Sequence, residues 1–433
     1  MRRLFLYALS VSVVCGLWVG HASGASAAPD TRAVAAESAR HLAGHGPSPL
    51  FGGIFNRIRR ALDFEAYEWE QVNRDAPWEA RTGLQVVDLK GVFYLMGGRT
   101  PIDSPVPGDG IIHGDVWRST DDGESWQELI ADTEAQGDWP ARAFFSAVKK
   151  GRHMYVLGGQ NFRLEPNQCP PPDIAPGCPP FVSVSDFFSD VWKSKDGINW
   201  KQLTSDAGWE GRAGLSTVVH KGAIYVFGGS KNDDDAVIGG PPIREYFNDV
   251  WRSYDGVNWV QLTANAPWAK RAGAAAVVKN GYIYLLGGEA GFACEPLPFC
   301  TPPYFNDVWK SKDGKRWKRV TPAAGWSARP GHKCGVQALH IVCFGGFGLL
   351  VNPSDVWVSL NGKRWRQVSS SPWNIVSPDD ARYDFALVSR KTSLTRPGGI
   401  FTFGGDRERF ELSPAENAER VDNDVWRYAP AAP

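Results

Sequence analysis

The chain has only 3 methionines, no surplus of either charge and, beyond its first two dozen residues, no long apolar run. Lys+Arg and Asp+Glu both number 47, giving a formal net charge of zero. A nucleic-acid or anionic-membrane protein usually carries a basic excess, so the total speaks against both. With 43% hydrophobic residues and a single apolar run, the sequence is neither a polytopic membrane protein nor a largely disordered chain. No Gly-rich phosphate loop and no Gly-x-Ser-x-Gly elbow occurs. No Cys-x-x-Cys occurs either, and no cysteine has a histidine at zinc-site spacing. What is plentiful is glycine (47), proline (31) and aromatics (12%), including 19 tryptophans. That mixture suits many short strands joined by turns better than a helical bundle.

The apolar run, Leu4 to Val19, follows Arg2 and Arg3 and ends in the small-residue site Ala25-Ser26-Ala27. Residues 1–27 therefore read as a secretory signal peptide, with cleavage after Ala27 and a secreted or periplasmic destination. Six cysteines follow, in three close pairs: Cys169 with Cys178, Cys294 with Cys300, and Cys334 with Cys343. In an exported chain that evenness points to disulfides.

Internal repetition governs the rest. A Gly-Gly pair ends an apolar run at positions 97, 158, 228, 287, 345 and 404, with lead-ins such as VFYLMGG, AIYVFGG and GIFTFGG. The triplet Asp-Val-Trp begins at Asp115, Asp190, Asp249, Asp307, Asp355 and Asp424. Five copies continue through a turn (STDDGESW, SKDGINW, SYDGVNW, SKDGKRW, SLNGKRW) to a second tryptophan. An arginine precedes the Gly-Gly by 16 positions in five copies (Arg81, Arg142, Arg212, Arg271, Arg329) and by 22 in the sixth (Arg382). Each unit of about 60 residues thus reads as four antiparallel strands, a to d, which is one propeller blade. The sixth unit ends at Asp-Val-Trp near the C-terminus without its strand d. The matching segment, YEWEQV around Trp69, lies at the other end of the sequence. The expectation is an all-β, six-bladed propeller over 67–428, closed by that N-terminal strand, with 28–66 as a linker and 429–433 as a tail. The basic stretch FNRIRRAL within 28–66 reads as part of a flexible tether, or as a small helix packed on the propeller.

These motifs resemble the kelch repeat, whose units carry a Gly-Gly pair after strand b and a later tryptophan. STDDGESW also resembles the Asp-box of sialidase blades, which stabilises a hairpin and does not catalyse. Aromatic rows can stack on pyranose rings, but six copies at equivalent positions favour inter-blade packing of the tryptophans.

A four-strand meander places the a–b and c–d turns on one face (face two) and the b–c and d–a connections on the other (face one). From the second glycine to the aspartate the spacing is 17, 31, 20, 19, 9 and 19 positions, so face one holds the variability and the expected binding site. Cys169, Cys178, Cys294 and Cys300 lie in these b–c loops. Cys334 and Cys343 instead face each other across strands a and b if Ala338-Leu339 forms a two-residue turn. The six arginines at the d–a entry would ring the channel mouth, as ligands for an acidic group or as partners of the six Asp-Val-Trp aspartates in neighbouring blades. The residue after each Gly-Gly breaks the repeat: Arg99, Gln160, Ser230, Glu289, Phe347 and Asp406. Together with Arg382, Tyr383 and His332 they form the candidate channel lip. Asp233, Asp234 and Asp235 offer oxygens to calcium, or are simply a solvated acidic run; no other metal or cofactor is expected.

The resemblances carry activities with them. A galactose-oxidase-like copper site needs converging tyrosines and histidines, and of the propeller's histidines only His113 and His332 fall on face one. A sialidase would show an Arg-Ile-Pro motif, which is absent. The exported six-bladed kelch enzymes, the sialate mutarotases, would imply anomer exchange by a carboxylate with an orienting cation, such as Glu289 with Arg99 or Asp406 with Arg382. The default expectation is a non-catalytic module that binds a glycan or protein partner through face one, without nucleic acid and without a membrane span after signal removal.

Overall fold

The computed structural model describes residues 63–103, 110–166, 181–231, 245–291, 303–348, 352–374, 382–391, 398–407 and 420–431. The expected signal peptide at residues 1–27, Cys169, Cys178, Cys294, Cys300 and the Asp233–Asp235 run lie outside them.

Six four-stranded antiparallel sheets form a ring of blades. Blade 3 is typical. Ser216–His220 (a), Ala223–Phe227 (b), Val250–Ser253 (c) and Trp259–Thr263 (d) pair in that order. Each blade's strand a packs between the strands a of its two neighbours, so these form the inner wall. In blade 6, Ala386–Arg390, Gly399–Asp406 and Val421–Pro430 are completed by Tyr67–Asn73, with Trp69 opposite Tyr428. The ring is closed by the N-terminal strand, as the repeat arithmetic requires. Part of the stretch read as linker belongs to the fold: Phe64, in the short 3-10 turn Phe64–Ala66, is fully buried and stacks on Tyr67 at 4.5 Å.

Local sequence explains the turns. Lys221-Gly222 and Asn280-Gly281 take positive φ at both central residues, the type I′ geometry that matches strand twist. Ala338-Leu339 does the same without glycine, at φ 44° and 68°. That turn sets Cys334 opposite Cys343 with Cα atoms 4.2 Å apart, and the two form a disulfide. In the c–d turns the repeated Ser and Asp accept backbone N–H bonds. Ser311 Oγ takes the N–H of Gly314 at 2.8 Å, and Asp313 Oδ1 those of Lys315 and Arg316 at 2.9 and 2.8 Å.

The core lies between blades. The tryptophan of each d–a loop is buried and meets a strand-d tryptophan, edge to face in five blades and tilted at 51° for Trp373 with Trp69. Trp139 and Trp200 are 5.8 Å apart at 80°, and Trp268 and Trp317 are 5.9 Å apart at 81°. On face two, the end of strand a latches onto the c–d turn of the following blade. His220 reaches the carbonyl of Lys312, Lys279 that of Leu360, and Arg390 the carboxylate of Asp122.

Candidate functional site at the face-one end of the channel

The entry arginines do not open onto the mouth. Arg142 is fully buried and engages four of its five N–H donors. Nη1 and Nη2 fork onto Asp190 at 2.7 and 2.9 Å, Nη1 also bonds the carbonyl of Gly158 at 2.9 Å, and Nε that of Pro140 at 3.0 Å. Its guanidinium lies 4.1 Å from the Phe188 ring and 5.9 Å from that of Trp139. The bond to the first glycine's carbonyl explains the 16-residue spacing, because the Gly-Gly turn aims that carbonyl at the core and the arginine satisfies it. Arg81, Arg212, Arg271 and Arg329 repeat the arrangement on Asp115, Asp249, Asp307 and Asp355. The pairs form within one repeat, correcting the expectation that they bridge neighbouring blades. Arg and Asp of one unit stand across the same strand b, so the nearest carboxylate is the blade's own. In blades 1 to 4 and 6 the aspartate's second oxygen takes the indole N–H of its own Asp-Val-Trp, as from Trp192 to Asp190 at 2.7 Å.

Two residues beyond each arginine the inner edge is sealed by a backbone belt. The N–H of Phe144 bonds the carbonyl of Gly83, Gly214 that of Phe144, Gly273 that of Gly214, Gly331 that of Gly273, Asp384 that of Gly331, and Gly83 that of Asp384. All six bonds are 2.9–3.1 Å, and all six residues have φ between 49° and 68°. A left-handed residue at each step turns its amide groups along the ring, so the exposed edges of six inner strands satisfy one another. Phe144 and Asp384 hold this conformation where the other blades have glycine. They are the two places where a side chain is kept on the belt despite its steric cost.

The residue after each Gly-Gly sits one step outside the belt. Arg99, Gln160, Ser230, Glu289 and Asp406 form backbone pairs with Thr82, Ala143, Ala213, Ala272 and Tyr383, and Phe347 donates its N–H to Pro330. Five of the six partners are small or proline, whereas the six residues themselves share one backbone setting and no chemistry. They are 3–9% exposed, so they are buried at the face-one end of the inner wall and are not a solvated lip. The b and c strands continue past them as short hairpins that place Ile112, Phe187, Tyr246, Tyr304 and Val421 directly opposite. Arg99 lies 5.8 Å from the Phe162 ring of blade 2. Phe347 stands edge-on to Tyr383 at 5.2 Å and to Tyr304 at 6.3 Å, an aromatic arc over blades 4 to 6.

The remaining candidates have other surroundings. His332 fills a core position held by Leu84, Phe145, Leu215, Ala274 and Phe385 in the other blades, with its ring 5.2 Å from Trp326. Burial, reinforced by the Arg329 charge, pushes its imidazole down to about 3, so it is neutral and does not serve the mouth as a proton donor. Burial likewise holds His113 at about 4, where its Nε2 meets Thr100 Oγ1 at 2.8 Å. Arg382 is clamped by both oxygens of Asp424 and by Asp422 at 2.8 Å.

Asp422 escaped the sequence reading. Blades 2 to 4 carry Phe188, Phe247 and Phe305 at its position, each covering the buried guanidinium. Blade 6 substitutes a carboxylate gripped by Arg382 and by Arg407, whose Nε and Nη2 lie 3.0 and 3.1 Å away. Burial pushes the Asp422 carboxyl up even though both arginines pull the other way. The signal was there, in VDND against YFND and FFSD, and aligning the units two residues before the aspartate exposes it.

No protein-family model matches the sequence, and no curated protein does. Among solved structures 422 chains match, one of them described as "Structure of YjhT". That structure is similar over 82% of this chain and 96% of its own length, with a TM-score of 0.54 and 16% identity. A likeness at that identity establishes the propeller fold and nothing finer.

Proposed function

We propose that this is an exported kelch-type propeller that binds a glycan in the face-one throat, as a binding module without chemistry of its own. One observation carries the reading: six positions with a common backbone setting bear a guanidinium, an amide, a hydroxyl, two carboxylates and a phenyl ring. Most of what surrounds them repeats: five of six paired partners are small or proline, the belt runs through all six blades, and every blade has a buried Arg–Asp clamp. A purely structural ring would repeat there too. Donors and acceptors of mixed type flanked by Phe347, Tyr383 and Tyr304 suit a ligand with many hydroxyls and an apolar ring face. The leader at residues 1–27 and the Cys334–Cys343 bridge support export. Arg382 and His332 leave the ligand set, since the first is clamped by two carboxylates and the second is core.

The test is a thermal-shift screen of the chain against neutral and acidic sugars. A ligand that binds the folded state raises the melting temperature by mass action, about 2.7 kcal/mol at a hundredfold excess over Kd. An acidic sugar should shift the melt, and Arg99→Ala should abolish the shift. If no sugar shifts it, the glycan reading fails and a protein partner takes its place. Glu289 and Asp406, two buried carboxylates in a ring that also holds Arg99, support a second reading: anomer exchange of the sialate-mutarotase type. Glu289→Gln separates the two, because a catalyst would lose exchange, followed by NMR, while keeping the thermal shift.

A further inference from the structure

The described turns of the two faces expose opposite charge. In the described d–a loops of face one, Asp75, Glu79, Asp132, Glu134, Asp206 and Glu210 are exposed, against two exposed cations, Arg74 and Lys270. Face two is the reverse. The c–d turns of blades 2 to 5 expose Lys195, Lys312, Lys315, Arg316, Lys363 and Arg364, and the a–b turns add Arg152 and Lys221. The carboxylates among them, Asp196, Asp255 and Asp313, bond the N–H groups of their own turns. Hydrogen bonds, above all from the Asn258 amide, hold Asp255 below the usual carboxylate range. These three carboxylates are occupied by their own turns, Asp313 also by Arg316 at 3.4 Å, and blade 1 adds the exposed Glu124, so cations outnumber exposed acids at the tips.

The same tips are apolar as well. Of nine large hydrophobic residues that stand exposed among the described residues, five crown face-two turns: Leu339 (64% exposed), Tyr254 (58%), Leu360 (56%), Ile198 (45%) and Val257 (44%). Leu360 is followed three and four residues on by the exposed pair Lys363-Arg364 after its glycine turn, and Ile198 shares a turn with Lys195. Turn tips need no apolar residue for folding, and one protruding into water is unfavourable.

We infer that face two docks on an anionic lipid bilayer. Cations of this density are drawn to anionic headgroups, and apolar tips of this kind sink into the headgroup and acyl boundary. A soluble polyanion would use the cations and leave the five apolar tips without a role, so the combination selects the bilayer. Docked in this way, the propeller turns the acidic face and the throat away from the membrane. Total charge argues against an anionic-surface protein only when the charge is spread evenly, and here the fold segregates it.

The experiment is co-sedimentation of the full chain with vesicles of phosphatidylcholine, with and without phosphatidylglycerol. Retention on a heparin column provides the lipid-free polyanion. The chain should pellet with phosphatidylglycerol vesicles, and high salt should release it. A quadruple variant, Lys195→Glu, Lys315→Glu, Lys363→Glu and Arg364→Glu, should weaken partitioning by roughly fivefold per cation, equivalent to about 1 kcal/mol each. Leu339→Ser with Leu360→Ser should weaken vesicle binding and leave heparin retention unchanged. An unaltered melting temperature shows that both variants fold, and an unaltered sugar-induced shift keeps this test separate from the throat's. Equal binding to neutral vesicles overturns the proposal, as does a quadruple variant that binds like the wild type. Vesicle binding indifferent to the two leucines also overturns it, and assigns the face to a soluble polyanion.

Discussion

Arg142→Met removes a buried guanidinium and keeps most of its volume. Asp190, whose side chain is 9% exposed, is left with the indole N–H of Trp192 as its partner among the bonds described above. The carbonyls of Gly158 and Pro140 lose their donor. Stranding one member of a buried pair costs about 3–5 kcal/mol, a large share of the roughly 5–15 kcal/mol that holds a domain folded. Adding Asp190→Leu removes the stranded charge, so the double variant should be more stable than the single by about 1–3 kcal/mol, although the two carbonyls stay unserved. Equilibrium urea unfolding, followed by tryptophan fluorescence, measures both. The sugar-induced thermal shift of Arg142→Met, measured on the folded protein, should match the wild type, while Arg99→Ala should behave in the opposite way. If Arg142→Met unfolds within about 1 kcal/mol of the wild type, or abolishes the ligand shift at unchanged stability, the clamp reading is wrong and the guanidinium faces the throat.

Two further outcomes follow from the same geometry. His332 titrates near 6.5 when unfolded and near 3 when folded, so the unfolded chain binds more protons between those values. The stability conferred by burying the neutral ring is therefore complete above about pH 6.5 and is lost progressively as pH falls towards 3. His332→Phe, which copies Phe145 and Phe385 at the same position, should flatten the melting-temperature profile between pH 6.5 and 4; parallel profiles would refute the assignment. Gly228 has φ 66°, and a Cβ there would stand 2.8 Å from the carbonyl oxygen of Arg271 in the next blade. Gly228→Ala should destabilise by about 2 kcal/mol or more in the urea assay, because left-handed strain and a backbone clash combine. A change below about 0.5 kcal/mol would show that the Gly-Gly turn is not tightly held.

Much of the architecture was legible because a propeller repeats its instructions. Blade number follows from counting Gly-Gly and Asp-Val-Trp, and closure follows from a missing strand d at one end and a spare YEWEQV at the other. The Cys334–Cys343 bridge was readable because a two-residue turn sets cross-strand register by arithmetic. Inter-blade packing of the tryptophans was readable for a similar reason, since a residue repeated six times has one job. The candidate site was half legible. Departure from the repeat located Arg99, Gln160, Ser230, Glu289, Phe347 and Asp406, but their burial depends on strands and loops that return from elsewhere in the chain. His332 was misplaced because the frame that makes it a core residue, three positions after the arginine, emerges only when Leu84, Phe145 and Phe385 are seen to share it.

The sequence by itself determined what is local and periodic: strand boundaries, turn types, the count of six and the partner of the last blade. Hydrophobic runs, glycines at positive φ and fixed spacings act over a few residues and need no knowledge of what lies opposite. Only the tertiary structure decided that each arginine clamps its own blade's aspartate 26 to 48 positions away. It likewise decided that six left-handed residues close a hydrogen-bonded belt, and that the described turns expose mainly acids on one face and mainly cations on the other. Those outcomes depend on which distant groups share a small volume, and Coulomb and hydrogen-bond energies are set by distance in space, to which distance along the chain is no guide.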